Sequence, residues 1–264
     1  MKFAVVTDQI SRDLDTACEQ VTSWGGRFVE LRMVGEGAIG ANLSAGFLEG
    51  VCATLSHWDV RVTGIAPQAF KVALTDAAMR YHRRILLPAS LHLAVLLEAP
   101  VVHIGAPKRP DGARGACPDD ALEVLAEASE LAGNLGLTLG LENDPGTWAE
   151  TGAELSAIAK AVGHHALRIT WDPAVSLAAG EAPFPAGLQA VREQLVAVRL
   201  RDVGRSGSGY QGVLPGDGLC AVSDLVVSLK NAGFAGAAML DPRLVPRLEG
   251  ARAAYETVSK MIQV

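Results

Sequence analysis

The chain predicts a (β/α)8 TIM barrel, an α/β fold, as a single domain over residues 1–264. Eight short runs of β-branched and aliphatic residues recur along it, and stretches with helical spacing separate them. Its length of 264 residues is also close to the ~250 typical of one such barrel. The runs are 3–7 (FAVVT), 27–31 (RFVEL), 60–65 (VRVTGI), 100–104 (PVVHI), 137–142 (LTLGLE), 167–172 (LRITWD), 196–201 (VAVRLR) and 235–240 (AGAAML). Their apolarity is continuous rather than alternating, which fits parallel strands buried on both faces. A doubly wound open sheet is the alternative that the same order allows. No linker, low-complexity tract or shift in composition marks a domain boundary.

The helical segments follow from spacing. Leu14, Ala17, Cys18 and Val21 fall at i, i+3, i+4 and i+7, with Ser11 or Asp13 as N-cap and Gly25–Gly26 as the stop. Leu122, Leu125, Ala128, Leu131, Ala132 and Leu135 repeat the pattern over 119–135. The stretch 72–98 is the longest, and Pro88 starts a new helix or kinks the old one there.

Composition excludes several classes. Hydrophobic residues make up 49% and charged residues 20%, so a core is affordable, while a net charge of −6 without a basic tract argues against a nucleic-acid partner. Cys18, Cys52, Cys117 and Cys220 form no CxxC pair, so neither a disulfide framework nor a zinc knuckle is expected. The opening MKFAVVTDQ is too short for a signal peptide, and no apolar stretch approaches the ~20 residues of a membrane span. A cytoplasmic protein without a membrane partner is expected.

In such barrels chemistry collects at the C-terminal ends of the strands. His57, His164 and His165 precede strands, and His82 and His92 lie within helices, so all five read as structural. His103 alone among the histidines sits near a strand's C-terminal end, where it could orient a hydroxyl. Four later strands deliver Glu142, Asp172, Arg199 and Asp241 at similar depths. Each carboxylate alone is also an ordinary helix cap or Asp-Pro turn residue. Converging together, they need a cation or protons to offset their repulsion. A histidine in the fourth place would complete a divalent-metal site; an arginine changes the chemistry.

Several segments together resemble the xylose-isomerase-like TIM-barrel proteins, the sugar phosphate isomerase/epimerase type. TDQIS at 7–11, FVELR at 28–32 and IAPQAFK at 65–71 are similar to motifs of the first three strands, and LEND at 141–144, WDPAV at 171–175, VRLRDV at 198–203 and LPGDG at 214–218 to later ones. The resemblance implies that Glu142 binds the metal and moves a proton, that Asp172 is a ligand, and that Asp241, shorter than the family's glutamate, is a ligand and second acid/base. The family's histidine ligand falls on Arg199, and its Asn or His after the strand-six aspartate falls on Val175. The activity implied is isomerisation or epimerisation of a sugar, sugar phosphate or polyol. It proceeds through an enediolate, with Mn, Mg, Co or Zn polarising the carbonyl.

Arginine stays protonated and offers a metal no lone pair, while its planar fork pairs with carboxylates. Two readings follow. Arg199 occupies the metal position and neutralises Glu142, Asp172 or Asp241, leaving a metal-free enzyme or ligand-binding barrel. Alternatively it points outward, and water or substrate completes the metal's shell. A nuclease like endonuclease IV, which shares the fold, would need a histidine-rich zinc cluster and a basic groove, and neither is present in the sequence.

The remaining candidates are peripheral. Arg32, Lys71 and Arg201 lie near strand ends and could hold a phosphate or carboxylate, with Arg199 and His103 completing the substrate contacts. Lys108, Arg109 and Arg114 form a small basic loop, and GRSGSGYQG at 204–212 reads as a mobile loop over the mouth, with Tyr210 as its contact. Trp24 and Trp58 read as core, whereas Trp148 and Trp171 could wall a sugar. A small sugar-like substrate and a homodimer are the expected partners.

Overall fold

The computed structural model describes residues 1–40 and 44–263. Eight parallel strands close a barrel: β1 Lys2–Val6, β2 Phe28–Leu31, β3 Arg61–Ile65, β4 Val101–Gly105, β5 Thr138–Glu142, β6 Leu167–Trp171, β7 Leu195–Leu200 and β8 Ala237–Leu240. Each pairs with its neighbours in sequence, and β8 pairs with β1 to close the ring. The open-sheet alternative is thereby excluded.

The helices form where the spacing places them. In α1, Leu14–Ser23, the Asp13 carboxylate accepts from the Thr16 amide at 2.8 Å and caps the first turn. The long segment divides into α3 Ala77–Tyr81, a π-helical turn His82–Leu86 and α4 Leu87–Leu96, with Pro88 in the first turn of α4. The backbone stays helical from Tyr81 through Leu87, so Pro88 lies inside a continuous helical run, and the π-turn just before it is where the run adjusts to the missing N–H. Helix α5 spans Asp119–Asn134, and α6, Gly152–Val162, carries a reciprocal capping box between Thr151 and Glu154.

The stretch 204–212 is not an irregular loop. Asp202–Ser206 and Gly209–Val213 pair as an antiparallel hairpin, with Gly207 at φ +58° in its turn. A Gly-containing two-residue connection between strands is the signal that the glycine-rich reading passed over. Asp202, fully buried, pins the segment that follows by accepting from the amides of Val203, Gly216, Gly218 and Cys220.

Two apolar regions support the barrel. The larger lies between sheet and helices, where Leu14, Leu125, Leu155 and Val258 meet Val5, Leu139 and Ile169. The smaller lies at the bottom of the barrel interior and is built from Ala4, Val6, Ala197, Ala237 and Met239. Alternate residues of a strand share a face. Arg199 continues the row of Ala197 upward on β7, and Arg201, Asp241 and Asp8 stand just past the ends of β7, β8 and β1. A small apolar floor thus carries a charged upper storey.

Glycines make the space for that storey. A methyl at Gly140 on β5 would fall on Thr170 Oγ1 and approach His103 Nδ1 to 2.9 Å; one at Gly64 on β3 would fall on His103 Nε2. One at Gly105 would fall on the Lys71 stem. Gly140→Ala is therefore expected to destabilise the fold by about 1–3 kcal/mol through overpacking of the barrel interior. Urea titration checks this, and an unchanged midpoint would mean that the interior is slack at this height.

Candidate active site

Arg199 lies at the centre of the upper storey. It projects from β7 and is 1% exposed. Its Nε donates to Glu142 Oε1 on β5, and its Nη1 donates to Glu30 Oε1 on β2 at 3.0 Å. Asp241 Oδ2, just beyond β8, is 3.8 Å from Nη1. One guanidinium thus ties three sectors of the barrel together.

Further cations stand around it. Lys71 Nζ reaches across the end of β4 to Glu142 Oε2 at 3.3 Å and Asp144 Oδ2 at 2.9 Å. Arg32 bridges Asp8 and Asp241, with Nη1 2.9 Å from Asp241 Oδ2 and Nη2 2.9 Å from Asp8 Oδ2. Arg201 Nε donates to Asp172, 2.8 Å from Oδ2. Arg243, half exposed, places Nη2 3.3 Å from Asp241 Oδ2.

Each charged state follows from these partners. Burial alone would raise the Glu142 pKa, but Arg199 and Lys71 outweigh it and hold the carboxyl well below its ordinary range. Burial is likewise overcome at Asp241 by Arg32, Arg243 and Arg199. At Arg199 burial would lower the pKa, yet Glu142, Glu30 and Asp241 raise it well above the ordinary value. His103 differs: burial dominates and lowers its pKa, so the ring is neutral near pH 7. Its Nδ1 lies 2.8 Å from Thr170 Oγ1, while Nε2, 3.3 Å from Glu30 Oε2, is too poorly aligned for a hydrogen bond.

The network answers the expectations residue by residue. Arg199 neutralises Glu142 and lies near Asp241, as one reading anticipates, but Asp172 belongs to Arg201 instead. Asp172 is also the N-cap of the short helix α7, Pro173–Ala178, accepting from Ala174 and Val175. Arg199 and His103, expected as substrate contacts, are 1% and 2% exposed and lie deeper than Arg32, Lys71 and Arg201. Trp171 is fully buried with Nε1 donating to Ser176 Oγ at 2.8 Å, so it belongs to the core and walls no sugar. Arg32, Lys71 and Arg201 do stand at the mouth, at 12–19% side-chain exposure.

Three members of the network, Glu30, Asp8 and Arg243, escaped sequence reasoning. Glu30 is the most telling, because an acid in the middle of the FVELR strand must be buried on one face or the other. That alone demands a cationic partner. Asp8 follows β1 as Asp241 follows β8, and the shared position was the available signal. Asn143 also aligns the site: its Oδ1 accepts from the Asp172 amide at 2.7 Å, and its Nδ2 donates to the Asp172 carbonyl at 2.9 Å.

The residues implied as metal ligands do not form a cation site. Glu142, Asp172 and Asp241 are each bonded to a guanidinium or ammonium group, and Arg199 lies among the ligand positions. Among the described residues, no group of three or more His, Cys, Asp or Glu side chains is disposed to hold a metal ion. No step of the chemistry is therefore routed through one here.

A cavity of about 240 Å³ opens at the mouth beside Arg201 and Arg243. Larger cavities of about 430, 340 and 480 Å³ lie elsewhere: at the N-terminal end of β3, beside the start of α1 near Arg12 and Val34, and between α6 and the segment before β7. None of the three is lined by a residue of the ionic network, whereas the 240 Å³ cavity is lined by Arg201 and Arg243. The mouth cavity is accordingly the candidate substrate site.

Residues 18–261 match the family model of the xylose isomerase-like TIM barrels. The chain belongs to that family. No curated protein matches it in sequence. Among solved structures it is similar to the probable 3-DHS dehydratase AsbF of Bacillus anthracis, with a TM-score of 0.79, 13% identity and coverage of 98% of this chain and 99% of that one. It is similar to a D-tagatose 3-epimerase-like protein, at a TM-score of 0.78, 16% identity and coverage of 100% and 98%. A magnesium-bound xylose isomerase-like barrel of Mycobacterium smegmatis has a TM-score of 0.74, 16% identity and coverage of 94% and 87%. The structures that share this fold thus include a probable dehydratase, an epimerase-like protein and a magnesium-bound barrel. Among the described residues of this chain, no helix is long and apolar enough to cross a membrane.

Arg199→Met keeps most of the side-chain volume and strands Glu30 and Glu142. It is expected to cost about 3–5 kcal/mol near pH 7, the usual loss when one partner of a buried ion pair is removed. Glu142 and Asp241 have depressed folded-state pKa values, so their stabilisation is full above their ordinary values of 4.5 and 3.8 and is lost as pH falls through and below them. The variant lacks part of that depression, so its deficit should shrink toward about pH 4.5. Urea midpoints at both pH values check this; an unchanged gap would remove Arg199 from the charge balance.

Proposed function

We propose that the protein acts on a small hydroxylated carbonyl compound at the barrel mouth. It moves a proton α to the carbonyl, as sugar isomerases and epimerases do, with the Arg199 guanidinium in place of a divalent metal ion. The observation that supports this is the hydrogen bond from Arg199 to Glu142, residues that by resemblance fall on the family's histidine-ligand and proton-transfer positions.

The steps use this chain's own groups. Glu142 takes the α-proton, the electron pair forms the enediol double bond, and negative charge develops on the carbonyl oxygen. Lys71, more exposed than Glu142 and 3.3 Å from it, donates a charge-assisted hydrogen bond to that oxygen. Glu142 returns its proton to the neighbouring carbon for isomerisation. For epimerisation Asp241, ionised while its arginines cover it, first takes a proton from solvent and delivers it to the opposite face of the carbon, and Glu142 releases its own to water. The Asp241 carboxylate is covered by Arg32 and Arg243, and the half-exposed Arg243 is the group that swings aside. Arg199 touches no substrate; it is a positioning residue that keeps Glu142 ionised and in place.

A second reading, ligand binding without turnover, draws on one feature of the network. Glu142, Asp172 and Asp241 each already face a cation, so a proton acceptor must first loosen an ion pair. NMR detection of solvent deuterium incorporation into a panel of ketoses separates the readings. Exchange that survives EDTA and falls at least about 100-fold in Glu142→Gln is expected. Binding without exchange would select the second reading, and exchange lost to EDTA would overturn both. Arg199→His should raise Mn affinity, measured by calorimetry, if Arg199 holds the family's ligand position; no gain counts against that placement.

A further inference from the structure

The mouth cavity carries a chemical signature of its own. Its polar lining includes two guanidinium groups, Arg201 and Arg243, and its walls include Pro145, Val175, Ala178 and Tyr210. The carboxylates that partner these arginines lie underneath: the Asp172 side chain is 2% exposed and the Asp241 side chain 0%. The cavity therefore presents cations to a ligand and hides the compensating anions.

The arginines also keep donors to spare. Arg201 bonds Asp172 through Nε alone, and its Nη groups have no hydrogen-bond partner among the described residues. Arg243 bonds Asp241 through Nη2 only. Its backbone is held at φ +51°, an uncommon conformation for a residue with a side chain, while its N–H donates to Gln9 Oε1 at 2.8 Å. That lock aims the side chain from the end of β8 over the mouth. On the far wall the hairpin brings Tyr210, whose ring centroid lies 5.9 Å from the Arg205 guanidinium.

We infer that this cavity is an oxyanion pocket, and that the substrate is a small hydroxy-keto acid or sugar phosphate rather than a neutral sugar. The inference rests on the proton-transfer reading for what happens to the substrate, but not for how it is held. Planar guanidinium forks suit the two oxygens of a carboxylate or phosphate, and a hydroxyl would leave most of their donors without a charged acceptor. The apolar walls and Tyr210 cover the carbon skeleton. With the acid group beside Arg243, the rest of the molecule lies next to Asp241, 3.3 Å from that guanidinium.

Calorimetry on the wild-type chain at low salt tests the pocket with D-xylonate, D-xylulose 5-phosphate, inorganic phosphate and neutral D-xylose. At least one of the two organic acids is expected to bind tenfold or more tightly than xylose, and which one does so identifies the acid group. Arg243→Gln should weaken that binding about tenfold, the loss of one charge-assisted contact. Gly212→Val is the second variant, because a side chain there meets the backbone oxygens of Arg243 at 3.1 Å and Pro242 at 3.2 Å and crowds the cavity. It too should weaken the acid while leaving thermal unfolding within a few degrees of wild type. Equal binding of xylose and the acids, no acid binding at millimolar concentration, or an unchanged Arg243→Gln would overturn the pocket. Binding of D-xylulose 5-phosphate without deuterium exchange into it would leave the pocket standing and sink the proton-transfer reading; exchange of neutral ketoses alone would do the reverse.

Discussion

A buried guanidinium shared between strands on different sides of the barrel is the constraint around which this site is organised. Arg199 is among the largest fully buried side chains, and its partners Glu30 and Glu142 come from β2 and β5. Taking one such charge out of water costs several kcal/mol, and the cost is recovered only with good geometry and satisfied hydrogen bonds. The barrel supplies both through its closed register. Arg199 is level with Met239 on β8, and Glu142 with Thr170 on β6, so their heights are set by backbone pairing rather than by flexible loops. Side chains carried on strands are held more tightly than side chains on loops. The ion pairs are therefore features of the scaffold as much as of the site.

The storey can exist because small residues stand where a regular barrel would place bulky ones. Gly64 and Gly140 leave the space that the His103 ring fills, and Gly105 lets the Lys71 stem pass over β4. A barrel interior is a packed core rather than a pore. Each long polar side chain inside must displace an apolar one, and here the displacement falls on the strands that carry glycine. The neutral His103 fits this account, since a charged imidazole in the same volume would add a cation with only Glu30 beside it, already shared with Arg199.

Legibility in the sequence followed the range of the interaction. The strands were readable because each is a local run of apolar residues, and the barrel because eight of them alternate with helices. Glu142, Asp172, Arg199 and Asp241 were readable as residues at strand ends, a property of single segments. What could not be read was the pairing. Nothing local assigns Arg201 to Asp172, Arg32 to Asp241 or Arg199 to Glu30, pairs separated by up to 209 positions. Glu30 was overlooked because it sits inside its strand and not at the C-terminal end, where chemistry in such barrels is expected. The hairpin at 202–213 was missed for the opposite reason: its strands are mostly exposed and glycine-rich, so the apolar signal that marks other strands is absent.

Replacing a divalent ion by a guanidinium changes more than the identity of the cation. An ion brings two positive charges and open coordination positions that a substrate can enter. A guanidinium brings one charge, already committed through its N–H groups, and cannot be exchanged. The missing charge must come from elsewhere, and here Lys71, Arg32, Arg201 and Arg243 are spread around the rim. Substrate recognition must then pass from a central Lewis acid to hydrogen-bond donors at the rim, and the rim donors are cations. A chain that settles its internal charge in this way is thereby disposed toward anionic ligands, because the groups that balance its buried carboxylates are the same groups that meet the solvent.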